Sequence, residues 1–172
     1  MAIVTGEQFA NAAQEYAVKN IPYSVLDCQG FVERVLSDCG IKKDWRGSND
    51  MWRNALSWKG TVDECLERFG HVPMGAWLFT IRHDGKEPSR YTDGVNAAHV
   101  GIYTARGAGA MHSTTPKGVQ MCEFPDASRW THVGLAACLS YDTAKDTPVQ
   151  SAESKPEYVY QAYQLLKKYF GE

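Results

Sequence analysis

Three features of the sequence together predict an α+β fold. Up to Gly70 the apolar residues recur with helical spacing; after Pro73 they fall into short β-branched and aromatic runs broken by glycine-containing turns; and the connections are too short for helices to alternate with parallel strands. Thr5-Gly6-Glu7-Gln8 has capping-box form, and Phe9, Ala13, Tyr16 and Ala17 share one face, which predicts a helix over 6–19 ended by Asn20 and Pro22. Asp27 caps a second helix whose inward positions are Phe31, Val32, Val35, Leu36 and Cys39, with Gly40 as its stop. A less regular helix is expected over 48–57. Thr61 and Glu64 make a second capping box ahead of Val62, Cys65, Leu66 and Phe69, stopped by Gly70.

The runs 76–83, 98–104, 110–114, 118–124 and 131–141 predict about five strands in one antiparallel sheet. Residues 1–141 thus read as one domain, 142–156 as a polar linker, and 157–172 as a C-terminal amphipathic helix with Val159, Ala162, Tyr163, Leu166 and Phe170 on one face. That face would pack back on the domain or dock on a partner. No internal repeat is present, and no pattern specifies an oligomeric state.

Bulk properties narrow the function classes. With 172 residues, 44% hydrophobic and 22% charged, the chain can bury a core large enough to hold a site rigidly. A net charge of -2 with no basic stripe removes the main source of nucleic-acid affinity. No apolar run reaches membrane-spanning length, and the N-terminal residues lack the form of a signal peptide, so the product is expected to be made in the cytoplasm. The five cysteines are odd in number and without Cys-x-x-Cys spacing, which argues against a disulfide framework and a zinc ribbon. The five histidines make no HExxH or HxxEH pair, and no metal or other cofactor is expected.

Chemistry concentrates in two segments. In VLDCQGFVERVL, Cys28 falls in the first turn of a helix, where the dipole and unpaired N–H groups stabilise a thiolate and can also face a developing oxyanion. Gly30 in the same turn is consistent with close approach to the backbone. Position alone does not separate a nucleophile from a packed thiol. In AAHVGIYTARGAGAMHSTTPKGV, His99 and His112 lie on consecutive strands joined by a glycine-rich turn. If that turn centres on Arg106-Gly107, paired positions sum to 213: His112 pairs with Gly101, His99 with Thr114, and the two histidines share a face as diagonal neighbours, about 7–8 Å apart at the backbone. A sum of 211 would set them directly opposite, and an even sum without a bulge, for which Gly109 is a candidate, would part them. On a shared face, Cys28 is the candidate nucleophile, His99 the base and His112 the residue that orients it. His71, His83 and His132 read as solvated or core-satisfied, and Cys39, Cys65, Cys122 and Cys138 as packing.

These segments resemble a known family. DCQGFVERVL is similar to the nucleophile motif of the NlpC/P60 cysteine peptidases, VPMGAWLFTI to that family's Pro-x-Gly-Asp-Leu strand, and AAHVGIYTARGAGAMHST to its segment bearing the catalytic histidine and the third polar residue. The resemblance runs from about residue 6 to residue 140, with order and spacing kept. It implies a papain-like α+β fold and hydrolysis of peptide bonds in bacterial cell-wall stem peptides, typically γ-D-glutamyl-diamino acid bonds, with Cys28, His99 and His112 in the roles just given. It also places Tyr23, Asp27 and Gln29 at the substrate or the oxyanion. The chain departs from the pattern at Gln29 (usually Ser), at Ala76 (usually Asp) and in the short approach YSVLDC, so substrate contacts would differ. Residues 84–96 and the stretch Trp45–Trp52 are further candidates for the border of a groove. A muramoyl-alanine amidase or another thiol acyl-transfer enzyme, or a silent muropeptide-binding or tail module, are the alternatives. Without wall-binding repeats or a leader, the resemblance fits a phage-type product delivered to the wall by another route.

Overall fold

A computed structural model describes residues 3–105 and 109–143. The chain begins with α1 (Gly6–Gln14), where Thr5 Oγ1 accepts from Gln8 N–H and Gln8 Oε1 accepts from Thr5 N–H, the reciprocal cap read from the sequence. The helix is shorter than 6–19. Beyond Gln14 its bonds tighten to i−3 spacing, from Tyr16 to Ala13, Ala17 to Gln14 and Lys19 to Tyr16, and the run closes at Asn20 with φ +49°. α2 (Cys28–Asp38) starts on Asp27, whose Oδ1 accepts from Gly30 N–H at 2.7 Å.

α3 (Ser48–Asn54) stops short of the expected 48–57, and the residues after it form a strand, β1 (Leu56–Thr61), absent from the sequence reading. Leu56 and Trp58 alternate with exposed Ser57 and Lys59, and the pairing of this edge strand with residues 132–136 decides the conformation. Thr61 ends β1 and caps α4 (Val62–Phe69), which closes on Gly70 at φ +79°. Then follow β2 (Trp77–Arg82), β3 (Asn96–Tyr103), β4 (Gly109–Thr114), β5 (Gly118–Glu123) and β6 (His132–Ala136). The sheet therefore has six strands, in the order β1-β6-β2-β3-β4-β5, with every neighbouring pair antiparallel. The fold is α+β, with one strand set among the helices. The expected helix over 157–172, the linker beyond Thr143 and the turn at Arg106-Gly107 lie outside the described residues.

Alternation along the strands divides the core in two. Phe9, Phe31, Val35, Leu36 and Met51 of the first three helices pack with Trp77, Phe79, Val100, Ile102 and Met111 on one face. Cys65 and Phe69 of α4 pack with Leu78, Ala110, Trp130, Val133 and Leu135 on the other. Full burial of each large aliphatic or aromatic group contributes about 1.5–3 kcal/mol, so the sheet is anchored from both sides. No helix among the described residues is long and apolar enough to cross a membrane.

Candidate active site

The site forms where the sheet opens. The β3–β4 ladder pairs Tyr103 with Ala110, Ile102 with Met111 and Gly101 with His112, the register of sum 213, and it stops there. Beyond it the segment leading into α2 takes over: Ser113 Oγ donates to Leu26 O, and the Val100 N–H is near enough to the Cys28 sulfur to favour its thiolate. Cys28 is thus brought to the strand that carries His99. A bulge in β3, where Thr80 faces His99 but Ile81 faces Ala97, adjusts the strand at this point.

His99 and His112 meet as the register requires. His99 Nε2 is 2.9 Å from His112 Nδ1, and the rings cross edge to face with centroids 5.1 Å apart. Trp130 stacks on His99 at 5.5 Å and 22°, and stands edge-on to His112. Trp130 reaches this position because residue 101 is glycine: a Cβ there would lie 2.6 Å from the indole and 2.9 Å from Met111 O. Among the described residues His99 Nδ1 has no hydrogen-bond partner. The imidazole nitrogen nearer the backbone is left open, while the farther one is held by His112.

Electrostatics keep the resting site neutral. Burial pushes the Cys28 thiol up and neighbouring Asp27 adds to this, against the pull of the Val100 and Gln29 N–H groups and the Tyr23 hydroxyl. Ionisation by the helix terminus alone, expected from the sequence, is outweighed by desolvation. Burial likewise holds His99 down at about 4, helped by Arg129 and Arg82, and holds His112 at about 3, helped by His99 and Arg129.

The remaining candidates fall at different distances from the chemistry. Tyr23 does lie near it: its hydroxyl favours the Cys28 thiolate, and burial together with Cys28 and Asp27 raises its own pKa. Asp27 spends Oδ1 on the helix cap, while Oδ2 has no protein partner among the described residues. Gln29 turns along α2, its amide donating to Glu33 Oε1 at 2.7 Å and to Trp45 O. Through Gln29 the Trp45 loop is fastened to the cysteine helix. Residues 84–96 are fastened in turn to α3, by Arg53 to Asp93 and to Val95 O, Tyr91 to Asp50, and Arg90 to Arg46 O. The two proposed border segments are therefore one continuous wall next to α2. Ala76, where the family pattern has Asp, is fully buried among apolar neighbours of the second core.

Gln120, Arg129 and Trp130 escaped the sequence reading. Gln120 lies directly opposite His112 on β5, its amide nitrogen 3.3 Å from His112 Nε2, and Arg129 Nη1 is 3.4 Å from the same atom. Parity counting across the turn at Thr115–Lys117 would have found Gln120; Arg129 and Trp130 arrive by a long-range contact that no local spacing announces. No group of three or more His, Cys, Asp or Glu among the described residues is placed to hold a metal. A cavity of about 570 Å³ between the start of α1, Tyr103 and Tyr141 contains none of the candidate residues. No family model, curated protein or solved structure matches the chain.

Proposed function

We propose that this chain is a cysteine peptidase of the NlpC/P60 type, papain-like in arrangement, that hydrolyses peptide bonds in bacterial cell-wall stem peptides through a thioester. One observation carries the reading: a first-turn cysteine packed against Val100, the residue after a histidine whose far nitrogen is held by a second histidine and whose near nitrogen is open. That is the order thiol, base, orienting residue that thiol acyl transfer requires.

In this mechanism the thiol proton passes to His99 Nδ1, in the tautomer that leaves that nitrogen a lone pair, as the sulfur attacks the substrate carbonyl. The Tyr23 hydroxyl, near the sulfur, would donate to the carbonyl oxygen as negative charge develops there. Collapse breaks the C–N bond, and His99 returns the proton to the leaving amine. Water then attacks the thioester, gives a proton to His99 and releases the carboxylic acid with Cys28 restored as thiol. Asp27 Oδ2, unengaged at the mouth of the site, suits a substrate ammonium. The wall built by Trp45, Arg46 and residues 84–96 is the candidate specificity surface. Action on the wall follows phage-type delivery.

Mass spectrometry of the soluble products after incubation with purified sacculi tests the reading. New amino groups on the diamino acid are the expected result. Free peptides released from lactyl groups would make the chain an amidase, and binding without any product would make it a silent module; either outcome overturns the endopeptidase assignment.

A further inference from the structure

His112 is almost fully buried, and its two ring nitrogens have different kinds of neighbour. Nδ1 faces His99 Nε2 at 2.9 Å, whereas Nε2 faces Gln120 Nε2 at 3.3 Å and Arg129 Nη1 at 3.4 Å. A guanidinium has five N–H donors and no acceptor, so Arg129 can satisfy Nε2 only while that atom carries a lone pair. The Gln120 amide nitrogen makes the same demand. The proton of neutral His112 therefore sits on Nδ1 and is donated to His99 Nε2. His99 in turn keeps its own proton on Nδ1, the nitrogen that His112 does not hold.

We propose that Arg129 is a positioning residue that pins both histidines in the Nδ1–H form, holding the Cys28–His99 couple at rest until the guanidinium is drawn away from His112. The inference rests on the hydrolase reading of the three residues. With Nδ1 of His99 occupied, the thiol proton has no lone pair to move to. Activation needs each ring's proton relocated from Nδ1 to Nε2 by exchange with solvent. The thiol proton then passes to the vacated Nδ1 of His99, and the sulfur keeps the electron pair. In that state His112 Nε2–H requires an acceptor. Gln120 can offer one by turning its amide oxygen inward; Arg129 cannot.

The surroundings suit a guanidinium that moves. Its side chain is 41% exposed, and Asp126 Oδ2 stands 4.0 Å from its Nε, three residues earlier in the same loop. Among the described residues, the other ionisable groups that act on the pair or on Arg129 are Arg82 at the end of β2 and Cys122 on β5. The loop does not depend on the guanidinium for its place: Thr80 Oγ1 donates to Arg129 O at 2.6 Å, Arg129 N–H to Asp126 O at 3.0 Å, and Trp130 Nε1 to Glu123 O at 3.2 Å. Removing the charged tip therefore leaves the backbone anchors intact.

Long-range proton–nitrogen correlation spectra of the full chain labelled with ¹⁵N-histidine read the proton positions directly, and the carboxymethylation rate of Cys28 reads their consequence. In the wild type and in Arg129→Lys both rings are expected as Nδ1–H forms. In Arg129→Met, His112 should gain a large Nε2–H population, and Cys28 should alkylate about tenfold faster at neutral pH, the change produced by one pK unit. Wild-type His112 protonated on Nε2, or spectra and rates unchanged by Arg129→Met, would overturn the proposal. The proton positions need no substrate. Sacculi left intact by a protein with the expected spectra would refute the hydrolase reading while supporting the assignment of Arg129.

Discussion

Cys28 and Cys65 are both buried thiols in short capped helices, packed on opposite faces of one sheet, yet their surroundings differ in kind. Cys28 is the first residue of α2, within reach of the Val100 and Gln29 N–H groups and the Tyr23 hydroxyl. Cys65 is the fourth residue of α4, where burial alone pushes it up to about 12 and its sulfur meets only the His71 carbonyl, at 3.7 Å. A carbonyl favours the protonated thiol, whereas N–H and O–H donors favour the thiolate. A three-residue difference in position within the helix thus separates a group that can ionise on demand from one that only fills space.

The broadest test of that contrast is to delete each sulfur in turn. Cys28→Ala should lower sacculus hydrolysis by about a thousandfold or more with the fold intact. Cys65→Ala should leave turnover within about twofold and reduce urea stability by about 1–2 kcal/mol through the cavity it leaves. Equal loss of activity in both variants would break the comparison.

Gly101→Ala sharpens it from the histidine side. The new methyl would meet the Trp130 indole at 2.6 Å, so the ring stacked on His99 must move. We expect turnover to fall about ten- to hundredfold and stability by about 1–3 kcal/mol, as overpacking does. Unchanged kinetics would mean that the Trp130 platform does not position the base.

The buried histidines, which meet Trp130 of the second core, add a pH dependence that neither thiol supplies. His99 is held at about 4 in the folded chain against an ordinary value of 6.5, so as pH falls below 6.5 the unfolded chain takes up a proton that the folded chain refuses. Stability should therefore be complete above about pH 6.5 and be lost as pH falls toward 4. Urea midpoints at pH 7.5, 6 and 5 should decline in the wild type and decline less steeply in His99→Gln, where His112 alone still resists protonation. A wild type no steeper than the variant would contradict the burial assigned to the pair.

Much of this site was legible because its parts are set by local rules. Asp27 and Thr61 announced the two helices, since a side-chain acceptor three residues ahead of an unpaired N–H is a local interaction. The histidine pair was legible because ladder register is arithmetic once a turn is assigned. β1 was not, since Leu56 to Thr61 is an edge strand that becomes a strand only by pairing with residues 132–136, and the helical texture of Ser48–Asn54 runs into it. Arg129 and Trp130 were hidden for a related reason: they are held over the site by Thr80, 49 residues away in the chain, and by Glu123 across the short loop that follows β5. The neutrality of Cys28 was hidden too, because the helix terminus is visible in the sequence but the depth of burial is not.

Smaller substitutions grade the contrast further. Tyr23→Phe removes one donor from the sulfur and should slow carboxymethylation of Cys28 about three- to tenfold, with no change at Cys65. Asp27→Asn keeps a competent cap while removing the negative charge that helps push the thiol up, so Cys28 should react about two- to threefold faster. If the carboxylate also holds a substrate ammonium, KM rises in the same variant. A slower Cys28 in Asp27→Asn would reverse the sign assigned to that charge.

The most direct measurement is peptide mapping of the acid-quenched protein during turnover of cell-wall peptides. A thioester adduct on Cys28, absent from His99→Gln, is the result expected if this sulfur attacks with the help of that imidazole. Hydrolysis that proceeds at full rate in Cys28→Ala, with no adduct on any cysteine, would contradict it.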